Sequence, residues 1–579
     1  MAEHDGIAEI GRGAWRRLRR SIASDLQRTV LYRQLALRAR PPAALAGRLR
    51  DLRPGDPDTG RRLLDGVFFH GGERLTVGPD GDVWAPEPPS ARFANWLNGF
   101  SWLRDLLAAD PDAAPARARE LFDGWLRWFG KWDKTAWAPG PAARRTYFWL
   151  ADAPTLFPDD DPGSPARLDA LARHARHLEH VAALPPDERD AFPVAIALAA
   201  AGACLPDGDR LLEAGLDRCA AEAKRQVLPD GGHVSRSPET GVELLADLYA
   251  LDDAVGARGR ELPDAVRRAI DRLAPMLRFF LMNDGGLAAF HGGGEGDRGL
   301  IEALLACDDS TARAFEFAPH SGYHRVAAEG SILIFDIAGP PPGGFSVDAH
   351  ASCLAFELAA DGERLIVNCG WSPDQHERFR EPVRATAAHS TLVTADTSSM
   401  RLLKPGLKRE ILGARPAGGP GQVAARRNEE ERGVWIEGSH EGYRQSFGLV
   451  HRRRIYVADA GEDVRGEDTL FRSVEDSGRR EPAATEYAVR FHLAPGVKHD
   501  IARDRRSALL VRPSGEAWRF RTDVGPIESE PSIYLAAGGA PQETRQLVLK
   551  GAAKLEGALD RPPNRVRWAI QKLGRAPVA

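Results

Sequence analysis

Residues 228–245, LPDGGHVSRSPETGVELL, hold a dense group of side chains able to move protons or hold an anion. Asp-Gly-Gly predicts a turn. Ser237 followed by Pro238 reads as an N-cap with proline at the first helical position, and Glu239 adds a carboxylate to the first turn. His233, Ser235 and Arg236 thereby stand just before a helix N-terminus. That end carries free N–H groups and partial positive charge, which suit an anion such as a uronate carboxylate. A polar turn between two helices has the same composition, and these residues alone leave both readings open.

A second group lies on strand-like segments. Read as a strand, FSVDAHASCLAFEL (345–358) puts Asp348 and His350 on the same face as Leu354, Phe356 and Leu358. Asn368 closes the apolar run LIVN, and His389 opens HSTLV. Polar atoms at sheet positions flanked by apolar residues must find partners or a metal. Two imidazoles and an amide from three strands make a zinc-type site one alternative, and satisfied core histidines the other. HGGGEGD (291–297) reads as a glycine-rich connection between helices, with His291 and Glu295 at a cleft rim. In RHARHLEH, His174, His177 and His180 share one helix face, and their Arg and Glu neighbours predict a surface stripe. The sequence has no GxSxG elbow, GxxxxGK[ST] loop or HExxH, and no GxGxxG following a strand, so no nucleotide cofactor is expected.

The elements that must position these residues fall into two halves. Up to about residue 315 the apolar spacing is helical, as in Val242, Leu245, Leu248 and Val255, or Val266, Ile270, Leu273, Met276 and Phe280. PVAIALAAAGACL is apolar nearly throughout and fits a helix packed on both sides. APGPAARR, FPDDDPGSPA and CLPDGDR read as loops. After residue 320 short alternating runs such as GSILIFDIAG, ERLIVNCGW and YAVRFHLAPG are separated by Gly, Asp and Pro, the pattern of an antiparallel sandwich or barrel. The expectation is an α+β chain in two parts: helical hairpins over 1–315 and antiparallel strands over 316–579. Trp84, Trp96, Trp102, Trp125, Trp128, Trp132, Trp137 and Trp149 crowd one stretch of the helical half, as core or as a cleft wall that stacks on sugars.

Composition narrows the class. A net charge of -4 on 579 residues gives no general case for nucleic-acid or membrane binding. RRLRR (16–20) reads as a solvated helix face and HRRR (451–454) as the polar end of a sheet element. Five cysteines without CxxC spacing argue against disulfides or thiolate zinc, and Cys353 and Cys369 read as buried thiols. No run approaches the ~18 apolar residues of a membrane helix. The first twenty residues lack the apolar core of a secretory signal, so the expected location is cytoplasmic.

Taken together, HSGYHRV, GSILIFDIA, DAHASCLAFEL, RLIVNCG and RATAAHSTLVTAD, followed by HRRRIYV and VRFHLAPGV, resemble the heparinase II/III family of polysaccharide lyases. QVLPDGGHVSRSPE and the helical array extend the resemblance over nearly the whole chain. The resemblance implies an N-terminal α/α toroid docked on a C-terminal antiparallel β-sandwich, with a cleft between them. It implies β-elimination from a uronic-acid-containing polysaccharide or oligosaccharide. A base removes the proton α to the uronate carboxylate, a cation neutralises that carboxylate, and an acid protonates the leaving glycosidic oxygen. His233 is the expected base or acid, Arg236 the neutralising group and Asp348 an orienting carboxylate. Ser235, Glu239, His291 and Glu295 are expected against the substrate. His350, Asn368 and His389 match the family's metal positions, implying zinc or another divalent ion, although Asn368 stands where an aspartate is usual.

Three departures accompany the resemblance. Thr240 stands where the family carries a catalytic tyrosine, and Asp348 where a sheet histidine is usual. ERDAFPVAIALAAAG lacks the helical Asn or His that cradles the carboxylate. A threonine hydroxyl does not replace a phenol of pKa about 10 as a proton shuttle. Two other functions therefore stand beside the lyase: a non-catalytic glycan-binding or cell-envelope scaffold, and a glycoside hydrolase using carboxylates among Glu239, Glu295 and Asp348. Family resemblance also suggests periplasm or cell envelope as the alternative location.

Overall fold

The computed structural model describes residues 2–29, 32, 36–184, 188–308, 314–472, 484–554 and 564–575. Helices dominate from Ala2–Gln27 to Arg298–Cys307, and strands from Phe317–Ala318 to Arg565–Arg575. The change of period from helix-like to strand-like spacing thus marks a real change of architecture.

The helical part is organised around Ala191–Cys204, whose side chains are buried on every face except at Pro193. It packs against Asp209–Gln226, Pro139–Ala151, Ser164–Ala182 and Pro238–Gly256. Glycine sets the closest of these approaches: a Cβ on Gly215 would lie 2.4 Å from the Ala199 nitrogen, and one on Gly202 2.2 Å from the Leu212 nitrogen. The segment APGPAARR is helix rather than loop, because Pro139 occupies the first helical turn, where a missing N–H costs nothing. Trp102, Trp125 and Trp149 are fully buried, so most of the tryptophan cluster is core; Trp128 remains 52% exposed. The histidine stripe is also interior. His174 lies against Arg145 Nη2 (2.8 Å), and His177 uses Nε2 on the Trp137 carbonyl (2.8 Å), so neighbouring Arg and Glu residues misrepresented that face.

Beside the short pair Arg401–Leu402 and Pro416–Gly418, the described strand part is two antiparallel sheets packed face to face. One has eight strands, from Val423–Glu430 at one edge to Lys498–Ile501 at the other; the second has nine and includes Phe356–Ala360, Glu363–Val367 and Thr485–Leu493. Phe356, Phe491, Phe520 and Trp568 fill the space between them, with Phe356 stacked on Trp568 at 5.4 Å. His451 and Arg453 are not the polar end of an element. They point inward from the middle of Leu449–Ala458 and share the buried Asp468.

Residues 345–358 also differ from the single strand that alternation predicts. Gly343–Asp348 forms a 3₁₀ turn, and the strand starts only at Phe356. The left-handed Leu354 (φ 61°) breaks any continuous extended run before that strand. The helical core continues into the sheet through Tyr323, Ile334, Ala355 and Ala359, so the two parts share apolar packing. No helix among the described residues is long and apolar enough to cross a membrane.

Candidate functional site

Where the helical part meets the 3₁₀ turn, a cavity of about 190 Å³ opens. Thr240, Glu243, Leu244 and Asp247 line it from one face of Pro238–Gly256, as their spacing of three and four requires. His233 and Ser235 come from the turn before that helix, Arg189, Phe192 and Pro193 from the start of the central helix, and Phe345 and Asp348 from the 3₁₀ turn. Ser237 caps its helix by accepting the Thr240 N–H (3.4 Å), as the motif predicts.

His233 is fixed in one tautomer. Gln226 donates its amide to Glu222 (2.6 Å), which turns its oxygen toward His233 Nε2 (3.1 Å). The proton therefore sits on Nε2, and Nδ1 accepts from the Ser235 hydroxyl (2.7 Å). Burial pushes the imidazole pKa down to about 4, so the ring is neutral near pH 7. Its one basic lone pair is already hydrogen-bonded, and its basicity is far below what proton abstraction near neutrality needs.

Arg236 lies outside the cavity lining. It is buried, and its five N–H groups reach the carbonyls of Ser321, Gly322, Ala338 and Gly339 and the carboxylate of Asp336. Burial raises and Arg236 lowers the Asp336 pKa, and the attraction prevails, holding the carboxyl at about 2. His291 lines the cavity, yet its Nδ1 accepts the His350 N–H (3.2 Å) while Nε2 faces Asp336 (3.3 Å). Arg236 (φ 60°) and His291 (φ 48°) both hold left-handed backbone conformations, at a cost of about 1–3 kcal/mol each. These bonds clamp the helical part to the first strands.

The other expected residues are placed as follows. Asp348 lines the cavity, paired with Arg380 and with Arg189 (3.4 Å); burial favours its neutral form, but these guanidinium groups keep it ionised. Ser235 faces the cavity. Glu239 lies outside the lining and accepts the Gly294 N–H (2.9 Å), with burial raising its pKa to about 7. Glu295 also lies outside, bound to Tyr534 (2.6 Å) and Arg298 (3.0 Å).

His350 and His389 do meet, but on each other. His389 donates Nδ1–H to the Ala385 carbonyl (2.8 Å), leaving Nε2 to accept from His350 Nδ1 (3.1 Å). Burial pushes the His389 pKa down to about 4. Asn368 accepts the Ser390 N–H (3.0 Å) through its oxygen and donates its amide to Glu357 (3.3 Å). Among the described residues, no group of three or more His, Cys, Asp or Glu could hold a metal ion. The three residues do not fit a zinc-type site.

Sequence reading missed Arg144, Glu243, Asp247 and Arg189. Asp247 is buried between Arg53 (2.7 Å) and Arg144 (2.6 Å); burial raises its pKa but the guanidinium groups hold it below the usual carboxylate range. A carboxylate on the apolar face of ELLADLYAL, seven residues after Thr240, was the available signal.

A toroid-like helical array on a two-sheet sandwich, with a polar cavity at their junction, defines a polysaccharide-lyase-type fold. The chain belongs to the heparinase II/III-like family, whose C-terminal domain profile matches residues 310–569. It is 39% identical over 573 residues to FtsZ-localized protein C of Caulobacter vibrioides, covering 96% of each chain. Among solved structures, heparinase III superposes with a TM-score of 0.68 at 14% identity, over 94% of this chain and 89% of that one. Heparan sulfate lyase HepC of Pedobacter heparinus gives 0.57 at 15% identity, over 94% and 86%.

Proposed function

We propose that this chain is a non-eliminating member of the family, a heparinase-type body that acts as a binding protein at the bacterial division machinery. The observation that carries the reading is Thr240, on the cavity wall, where the family resemblance places the catalytic tyrosine. Three further features support it. The cavity lies below the about 300–1,000 Å³ typical of ligand clefts. Its lining sets Glu243, Asp247 and Asp348 against Arg144 and Arg189, an unfavourable surrounding for a uronate. His233 is weakly basic and Arg236 is wholly engaged by the protein. The division machinery enters through the name of the Caulobacter relative, to which the chain aligns nearly end to end.

Hydrolysis has less support, since it needs a protonated carboxyl facing an ionised one. Asp247 and Asp348 are both held ionised, and Glu239 lies outside the lining. Elimination is the second reading, favoured by His233, Ser235, Arg144 and Arg189 sharing one cavity.

One experiment separates these readings. Purified protein is incubated with heparan sulfate, chondroitin sulfate and other uronate polymers while near-ultraviolet absorbance and reducing ends are followed. Neither should rise. Absorbance that grows with time and disappears in His233→Ala establishes elimination; new reducing ends without absorbance establish hydrolysis. In cells, a fluorescent fusion should gather with FtsZ at the division site, and a diffuse fusion refutes the adaptor role.

A further inference from the structure

We propose a second binding site, adjoining the cavity and sharing only Arg189 with it among the described residues: the groove between the N-terminal helix and residues 403–417 takes a short acidic polypeptide segment. This inference stands on the groove alone and does not depend on the loss of elimination.

The groove encloses about 980 Å³, at the upper end of the about 300–1,000 Å³ usual for ligand clefts. Separate parts of the chain build it. Ala2–Gln27 forms one wall and Leu407–Leu412 packs beside it. The helix is seated closely at Gly13, where a Cβ would lie 2.8 Å from Leu412 Cδ2 and 3.0 Å from Ile411 Cγ2. Arg16 bonds to Glu188 (2.9 Å), and Trp132 donates to Gln27 (3.4 Å), tying the same helix to the helical part. The wall is therefore fixed at several points along its length.

Charge sets the class of ligand. Arg12, Arg16, Arg17 and Arg20 face the groove from the helix. Arg189, Lys408 and Arg415 face it from the other sides, against the carboxylates of Glu188 and Glu410 alone among the lining residues. Glu188 is moreover engaged by Arg16 and by the Gly344 N–H. Such a predominantly cationic cleft concentrates anions and accelerates their encounter.

The remaining lining separates a peptide from a neutral sugar, and its aliphatic floor favours a peptide over an anionic one. It consists of Gly, Pro, Ala and the aliphatic side chains Val347, Leu403, Ile411 and Leu412. Among the described residues no aromatic ring, amide or hydroxyl side chain lines it, so it offers a neutral sugar neither a stacking face nor a neutral hydrogen-bonding group. Cations above an aliphatic floor instead complement a chain that alternates acidic and aliphatic residues. A flat bilayer fits less well. The exposed apolar stripe of the helix, Trp15, Leu18, Ile22 and Leu26, lies by helical spacing on the side away from the groove.

The test uses the full chain and a fluorescein-labelled peptide in which Glu alternates with Leu, followed by anisotropy. A Lys–Leu peptide, heparan sulfate oligosaccharides and phosphatidylglycerol vesicles serve as the other probes. The Glu–Leu peptide should bind and the Lys–Leu peptide should not. Affinity should fall steeply with salt, since the screening length drops from about 10 Å at 0.1 M to about 3 Å at 1 M. Arg17→Glu combined with Lys408→Glu should weaken binding by about tenfold or more while the thermal melting curve is unchanged. Arg17→Gln with Lys408→Gln should lie between. Absent peptide binding, or binding indifferent to both double variants, overturns the proposal. So does preferential capture of the glycan or the vesicles that the same variants abolish, which would make the groove a sugar or lipid site.

Discussion

Replacing Arg236 with Met tests whether this arginine is a substrate ligand or a clamp. In the structure the side chain donates all five hydrogens to protein acceptors, four of them main-chain carbonyls. Its ion-pair partner Asp336 is fully buried. Removing the guanidinium leaves that carboxylate without its main counter-charge, and breaking a buried pair in this way costs about 3–5 kcal/mol. Carbonyls left without donors add to the loss wherever water does not reach them, at about 1–3 kcal/mol each. The left-handed backbone of residue 236, no longer held by these bonds, gives its strain a route to relax. We therefore expect Arg236→Met to lower stability by about 5 kcal/mol, read as an earlier midpoint in urea unfolding followed by tryptophan fluorescence. Arg236→Lys should recover part of the loss, because an ammonium restores charge but not the fork. Arg236→Met with Asp336→Leu should be less damaging than the sum of the single changes, by about 1–3 kcal/mol of coupling. A loss below about 1 kcal/mol in Arg236→Met would falsify the clamp and return the residue to the list of ligand-binding candidates.

Acidification should destabilise the fold. His233, His389 and His177 are buried with pKa values near 4, against 6.5 when exposed, so the unfolded chain binds more protons between these limits. Their stabilising contribution is complete above pH 6.5 and is lost as pH falls toward 4, on the order of 3 kcal/mol per group; a melting temperature flat over that window refutes the assignment. Dialysis against EDTA should leave the melting temperature unchanged and elemental analysis should find no stoichiometric zinc, because His350, His389 and Asn368 are bonded within the protein; a chelator-induced shift of several degrees would overturn this. Gly215→Val should unseat the helix pair 191–204 and 209–226 and reduce soluble yield, since its Cβ meets the Ala199 main chain; wild-type melting contradicts the packing argument. Thr240→Tyr should not create elimination, because His233 stays a weak base and the lining keeps its carboxylates; new near-ultraviolet absorbance would show that the tyrosine alone was missing.

The two-part architecture was legible because hydrophobic period is set by the element itself: spacings of three and four in 242–255 and alternation in 487–493 can each be buried in only one way. The N-cap at Ser237 was legible for a similar local reason. Orientation was not. Arg236 belongs to the same motif as His233 and Ser235, yet one residue held at φ 60° turns its side chain out of the cavity and into the sheet. Asp348 and His350 looked like neighbours on one strand face, but Asp348 ends a 3₁₀ turn and the strand begins only at Phe356. Asp247 was passed over because its helix reads as core; a carboxylate there needs two arginines from distant segments, and sequence spacing cannot show them.

The polar residues that carry the family resemblance have an explanation in which catalysis has no part. Asp336, His291, His350 and His389 run as a chain of contacts from the Arg236 clamp into the sandwich, and Asn368 ties Glu357 to Ser390 beside it. The contacts of Arg236 and His291 cross from the helical part to the strand part, while those of His389 and Asn368 hold the strand segments that receive them. An apolar junction would bind as well or better, since buried ion pairs contribute little net stability over well-packed hydrophobic groups. It would also tolerate sliding, whereas a misdocked polar chain leaves unpaired groups at about 1–3 kcal/mol each. The motif thus fixes how the two parts sit relative to each other. On the proposed non-eliminating reading the chain still needs that orientation, because the cavity and the arginine-lined groove are both built from the helical and the strand part together.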